Sequence, residues 1–181
     1  EKRFFDGRDR MNDQEKMEAF KWVQDHFLFI DTNGEEPSTM DSILERARAA
    51  VKRMGVRGLV IDPYNYIDLG RKDSTETEAI SHMLTRVQKF CKAYDVHTWF
   101  VAHPSKITRQ GVDQPRPDGM SIAGSMAWWA KTDCGVTVHR KDNFVEIAVW
   151  KCRYRWVGTQ GETTLLYNKL AGTYSENLDK F

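Results

Sequence analysis

The sequence predicts an α/β fold with a mainly parallel sheet flanked by helices and extra strands at the C-terminal end. Three observations point there. Gly58-Leu59-Val60-Ile61 is a short run without the alternation of a half-buried strand, which suggests a strand covered on both faces. Val96–Ala102 repeats that pattern after an intervening helical segment. The order strand, helix, strand, helix, strand, then further strands is that of a parallel sheet with crossover helices.

Taken in order, residues 1–12 are charged and carry no pattern. From Asp13, Met17, Phe20 and Val23 recur at helical spacing, with Trp22 beside them. Phe27-Leu28-Phe29-Ile30 reads as a short strand, and residues 31–38 hold Asn-Gly and Pro turn signals. Thr39 is a candidate N-cap for a helix through Ile43, Leu44, Ala47, Ala50 and Val51, which Gly55 stops. Gly58–Asp62 follows as the central strand. A polar loop at 68–75 leads to a strong helix from about Ser74 to Tyr94, with Ile80, Met83, Leu84, Val87 and Phe90 on one face. The strand Val96–Ala102 ends in His103-Pro104. Residues 105–121 form a loop with Pro and Gly, then a short helix spans about Ala123–Lys131. Strands are expected at Gly135–Arg140, Phe144–Arg153 and Thr163–Asn168.

The chain of 181 residues suffices for one domain, and Lys+Arg 27 against Asp+Glu 26 leaves a net charge of +1. Any nucleic-acid site must therefore be a local basic patch. Cys91, Cys134 and Cys152 lie in no metal spacing and read as reduced thiols in an intracellular protein. The five histidines show no zinc-ligand spacing, and no apolar run reaches membrane-spanning length. Glu1 opens the chain in place of Met, so the sequence reads as a piece of something longer.

The residues that attract chemistry cluster at the strand ends. Asp62 ends an apolar strand, and Pro63 stops the ladder because it has no N–H to donate. A carboxylate there either holds Mg²⁺ while the metal bridges nucleotide phosphates, or merely opens a turn. His103 ends the next strand at the same edge. Its imidazole can donate toward a γ-phosphate, or it is a capped loop histidine. Gly124-Ser125 opens a helix with small residues that let a backbone approach a ligand, or it is an ordinary helix start. Asp133 can orient a neighbour, or simply pair. Lys151 and Arg153 point to one face of a strand and reach a neighbouring subunit's phosphates, or are a solvated basic end. Lys106, Arg109 and Arg116, with only Asp113 against them, suit a loop that grips a phosphate backbone, or are a solvated connection.

Together these segments resemble the RecA-type motor domain of ring-shaped replicative DNA helicases, in the phage primase-helicase and Twinkle branch of the DnaB-like family. Four motifs carry the resemblance in order: Gly58–Asn65 (Walker B); Val101-Ala102-His103-Pro104-Ser105-Lys106; Ala123-Gly124-Ser125 through Asp133 to Arg140; and Lys151-Cys152-Arg153 with Tyr167-Asn168-Lys169 and Gly172.

The resemblance implies a RecA-like sheet, ATP (or a dNTP) and Mg²⁺ as cofactors, single-stranded DNA as partner, and a hexameric or heptameric ring. It implies Asp62 as metal ligand, and His103 as a γ-phosphate sensor that relays to the DNA loops. Ser125 would line the ATP site, and Arg140 and Tyr167 would sandwich the base. Arg153 would be an arginine finger acting on the next subunit with Lys151 beside it, while Lys106 and Arg109 would face DNA. It implies the cytoplasm of a bacterial or phage-infected cell, or a mitochondrion. Two departures stand out. No G-x-x-x-x-G-K-[ST] motif occurs in residues 1–181, so the P-loop and its catalytic glutamate are expected upstream of Glu1. Ala130 occupies a position where many relatives have glutamine, with Lys131 as a stand-in. The chain is thus expected to be the C-terminal portion of a helicase motor. Its rivals are a RecA-like recombination module that does not unwind, and a regulatory module without a P-loop.

Overall fold

The structure, a computed structural model, describes residues 11–31, 38–70, 75–105, 116–122, 125–141, 144–169 and 172–176. Helix α1 (Asp13–His26) starts at a capping box: the Asn12 side chain accepts from the Glu15 N–H at 2.9 Å, and the Glu15 carboxylate accepts from the Asn12 N–H at 2.7 Å. None of its residues is buried. The strand expected at Phe27–Ile30 does not form. The segment is unpaired, and Phe27, Leu28 and Phe29 are exposed. β-propensity is present, but a strand also needs a neighbour for its backbone groups, and none pairs with it among the described residues.

Helix α2 (Met40–Met54) is capped by Thr39, whose hydroxyl accepts from the Ser42 N–H at 3.2 Å. It ends at Gly55 in the left-handed region (φ 71°), where a side chain would strain the backbone. Helix α3 (Glu76–Tyr94) has a second capping box, Thr75 with Glu78. Between them runs β1 (Gly58–Ile61), and after α3 comes β2 (His97–Phe100), parallel to β1 with Ile61 opposite Phe100. The expected coverage of both faces needs correction. Leu59 and Ile61 are buried, but Val60 is 59% and Trp99 53% exposed, so among the described residues helices cover one face of this pair. An apolar run reports what a strand tolerates on each face, while burial depends on which elements are there to pack against it.

The core joins α2, β1, α3 and the short α4 (Ser125–Lys131). Ile80 is fully buried, and Trp128 meets Tyr64 edge-on at 4.9 Å and Phe100 at 5.4 Å. Burial of each such side chain contributes about 1.5–3 kcal/mol. The C-terminal strands β3 (Cys134–Arg140), β4 (Phe144–Cys152), β5 (Gly161–Asn168) and β6 (Thr173–Glu176) form a four-stranded antiparallel sheet in sequence order. The extra strands thus exceed the expected set by β6. Its four residues are all exposed and carry no alternating apolar signal. Trp150 fastens this sheet to α4 by stacking on Trp129 at 5.2 Å. Gly135 makes room for it: a Cβ there would fall 2.2 Å from the Trp150 ring.

Candidate functional site

The carboxyl edge of the parallel pair brings two of the expected residues together. Asp62 follows the last residue of β1, where the paired register ends at Ile61 and Phe100. Val101 N–H donates to Ile61 O at 2.9 Å, and past Pro63, which has no N–H, Tyr64 N–H donates to Val101 O at 3.1 Å. His103 lies two residues beyond Val101 on the neighbouring chain segment. Both side chains are exposed, and neither has a hydrogen bond or ion pair among the described residues. The segment after His103 is pinned: Ser105 N–H donates to Ser121 O at 2.7 Å, and Pro104 bridges Ile122. Ile122 lies just ahead of α4, so the start of that helix, with Ser125, belongs to the same region. The packing of Trp128 against Tyr64 and Phe100 sets α4 against both strand ends.

The antiparallel sheet holds the second group. The Arg140 guanidinium lies over the Tyr167 ring, 5.0 Å from its centroid. The two residues expected to flank a base are therefore adjacent and stacked on each other, and a base between them requires that they part. Lys151 and Arg153 do not end in solvent. Lys151 Nζ donates to the carbonyl oxygens of Trp129 and, at 3.4 Å, Ala130. Arg153 Nη2 donates to Ala130 O at 2.6 Å and Thr132 O at 3.3 Å, and its Nε pairs with Asp133 at 2.7 Å. Two cations thus cap the carboxyl end of α4, where unsatisfied carbonyls and the helix dipole favour positive charge. Burial, then the nearby Arg153, push the Lys151 ammonium below its ordinary pKa, and Asp133 opposes them.

Two further residues are committed elsewhere. Lys131 donates to Ser81 O at 2.8 Å and to the Thr85 hydroxyl, so it fastens α4 to α3. Arg116 pairs with Glu162 of β5 at 2.5 Å, a partner 46 residues away that no local pattern reveals. Lys106 and Arg109 lie outside the described residues. Sequence reasoning singled out Asp133 without finding its partner. Asp133 and Arg153 lie opposite each other just beyond the paired ends of β3 and β4, and only the pairing register discloses this.

The architecture is similar to that of two solved structures. A solved DnaB-like replicative helicase, described with its interactions with primase, superposes with a TM-score of 0.72 at 19% identity, over 92% of this chain and 42% of that one. A solved ATPase domain superposes with a TM-score of 0.64 at 20% identity, over 77% of this chain and 52% of that one. These likenesses bear out the α/β fold class of parallel sheet, flanking helices and added antiparallel strands. Residues 1–109 match the AAA domain family, and the chain belongs to that family. A curated relative, the Twinkle homolog protein, chloroplastic/mitochondrial, of Arabidopsis thaliana, is 40% identical over 176 residues. That match takes in 93% of this chain and 24% of the relative, so the chain spans about a quarter of its length.

Proposed function

We propose that this chain, residues 1–181, is the C-terminal portion of the motor of an ATP-dependent replicative DNA helicase, which unwinds a duplex by translocating on one strand. The observation that carries this reading is the shared edge where β1 and β2 end with Asp62 and His103, both side chains exposed and uncommitted among the described residues. Mg²⁺ keeps most of its waters and is commonly held by one or two carboxylates plus substrate phosphates, which fits an open Asp62. The bound ion would neutralise charge on the β- and γ-phosphates of ATP or a dNTP. His103 would donate to a γ-phosphate oxygen. From there the chain runs directly into Lys106 and Arg109, the proposed contacts to single-stranded DNA. Ser125 would line the nucleotide site, and Arg140 and Tyr167 would open to stack the base. Arg153, with Lys151 beside it, would serve the nucleotide of the next subunit in a ring. The P-loop and catalytic glutamate would come from polypeptide outside residues 1–181.

The name of the plant relative and the fold of the DnaB-like neighbour support the helicase reading over a recombination or regulatory module. That relative's name also supports the mitochondrial one of the two expected compartments. No described helix is long and apolar enough to cross a membrane. The test uses the longer protein that contains this chain. Asp62→Ala should abolish ATP hydrolysis and strand separation on a forked duplex, with an unchanged melting temperature because the side chain is exposed. Hydrolysis at the parental rate would overturn the assignment of Asp62.

A further inference from the structure

We propose that Cys134 and Cys152 are a thiol–disulfide pair, closed and opened by exchange with a small disulfide, at the point where Arg153 is held. In the antiparallel ladder of β3 and β4, Cys134 lies directly opposite Cys152. One step further out, the Arg153 N–H donates to Asp133 O at 2.8 Å, so Asp133 and Arg153 form a hydrogen-bonded pair. Pair types alternate along an antiparallel ladder, which makes Cys134 and Cys152 the non-hydrogen-bonded type, with Cα atoms about 4.5 Å apart and side chains on one face. Disulfides require Cα separations of roughly 4.4–6.8 Å. A pair of that type falls within this range.

Access favours exchange. Cys134 is exposed on β3, the edge strand of the four-stranded sheet, and Cys152 is half-buried. Among the described residues, the Cys152 thiol is held by one long bond, to Tyr154 O at 3.5 Å, which a side-chain rotation releases. Cys91 is separate: it sits on α3 with its sulfur 3.1 Å from the Thr98 hydroxyl. The oxidant is a low-molecular-weight disulfide such as oxidised glutathione. One cysteine thiolate attacks a sulfur of the reagent and expels one thiolate. The other cysteine then attacks the mixed disulfide at the protein sulfur and expels the remaining reagent thiol. Two cysteine thiols are oxidised to one S–S bond, the reagent is reduced to two thiols, and the protons pass to the expelled thiolates. In a reducing compartment such a bridge is transient, which suits a switch rather than a staple.

The bridge would pin the ladder end beside the Asp133–Arg153 pair and keep Arg153 on the carbonyls of α4. This consequence rests on the trans role of Arg153 proposed above; the pairing of the cysteines does not. The test treats the chain with excess oxidised glutathione, blocks free thiols by alkylation, and maps peptides without reduction. The expected result is a cross-link between Cys134 and Cys152 that dithiothreitol reverses, with Cys91 alkylated, and its loss in Cys134→Ser and in Cys152→Ser. Stable glutathione adducts without a cross-link, or a bridge to Cys91, would overturn the proposal. In the longer protein, oxidation should lower DNA-stimulated hydrolysis reversibly in the parent but not in Cys134→Ser. A mapped cross-link without that loss would leave the pair standing and remove its link to Arg153.

Discussion

The two halves of this chain treat their proposed functional groups in opposite ways. At the carboxyl edge of the parallel pair, Asp62 and His103 are exposed and uncommitted among the described residues. In the antiparallel sheet, Arg140 lies on Tyr167, and Lys151 and Arg153 are bound to the end of α4. A group that meets its ligand at its own strand end can wait in water at little cost. A long cation that must serve another subunit is better kept in one conformation until that subunit arrives, because a free arginine loses about 2 kcal/mol of rotamer entropy when it docks. The contacts that hold Arg153 are with exposed or half-exposed groups, so leaving them is inexpensive.

The sharpest way to break this comparison is to ask for whom Arg153 works. In the longer protein, Arg153→Ala should slow hydrolysis by on the order of 10³-fold. Mixed with Asp62→Ala subunits, it should recover part of that rate, because some boundaries then pair a sound Asp62 with a sound Arg153. Full activity of the single mutant would make Arg153 a helix cap and nothing more, and no recovery despite co-assembly would rule out its action on the next subunit.

Stability should divide along the same line. The main core draws on α2, β1, α3 and α4 but on none of β3 to β6. Ile80→Ala, at a fully buried position, should cost about 2–5 kcal/mol by denaturant titration. Leu166→Ala, at 42% exposure in β5, should cost about 1 kcal/mol or less. Similar losses would mean that Leu166 packs more deeply than its exposure shows.

The segment between the halves carries Lys106 and Arg109. Replacing both with Ala should flatten the salt dependence of single-strand binding by up to about 1.4 in slope, two contacts at roughly 0.7 each. An unchanged slope would place the DNA elsewhere. The smallest effect concerns the cap of α3. Hydrogen bonds from the Thr75 backbone and hydroxyl hold the Glu78 carboxyl below its ordinary pKa. Its contribution is therefore present above the ordinary carboxylate range and fades as pH falls through the lowered value. Glu78→Gln should lower the melting temperature at neutral pH, with the gap to the parent closing in acid. A gap that is constant with pH would rule out the charge as its source.

The sequence by itself determined what is local. The caps at Thr39 and Gly55, the apolar stripe of α3, and the placement of Asp62 and His103 each just past a strand follow from helical period, backbone preference and the breaking of a ladder by proline. These depend on residues within a turn or two of one another, so a single chain segment carries the information. The tertiary structure decided everything that needs a distant partner. It left Phe27–Ile30 unpaired, bared Val60 and Trp99, and turned Lys131 onto α3. It also joined Arg116 to Glu162, laid Arg140 on Tyr167, and set Cys134 opposite Cys152. A side chain's type says what contacts it can make. Which contact it makes depends on pairing register and on which faces are covered, and those are set by residues tens of positions away.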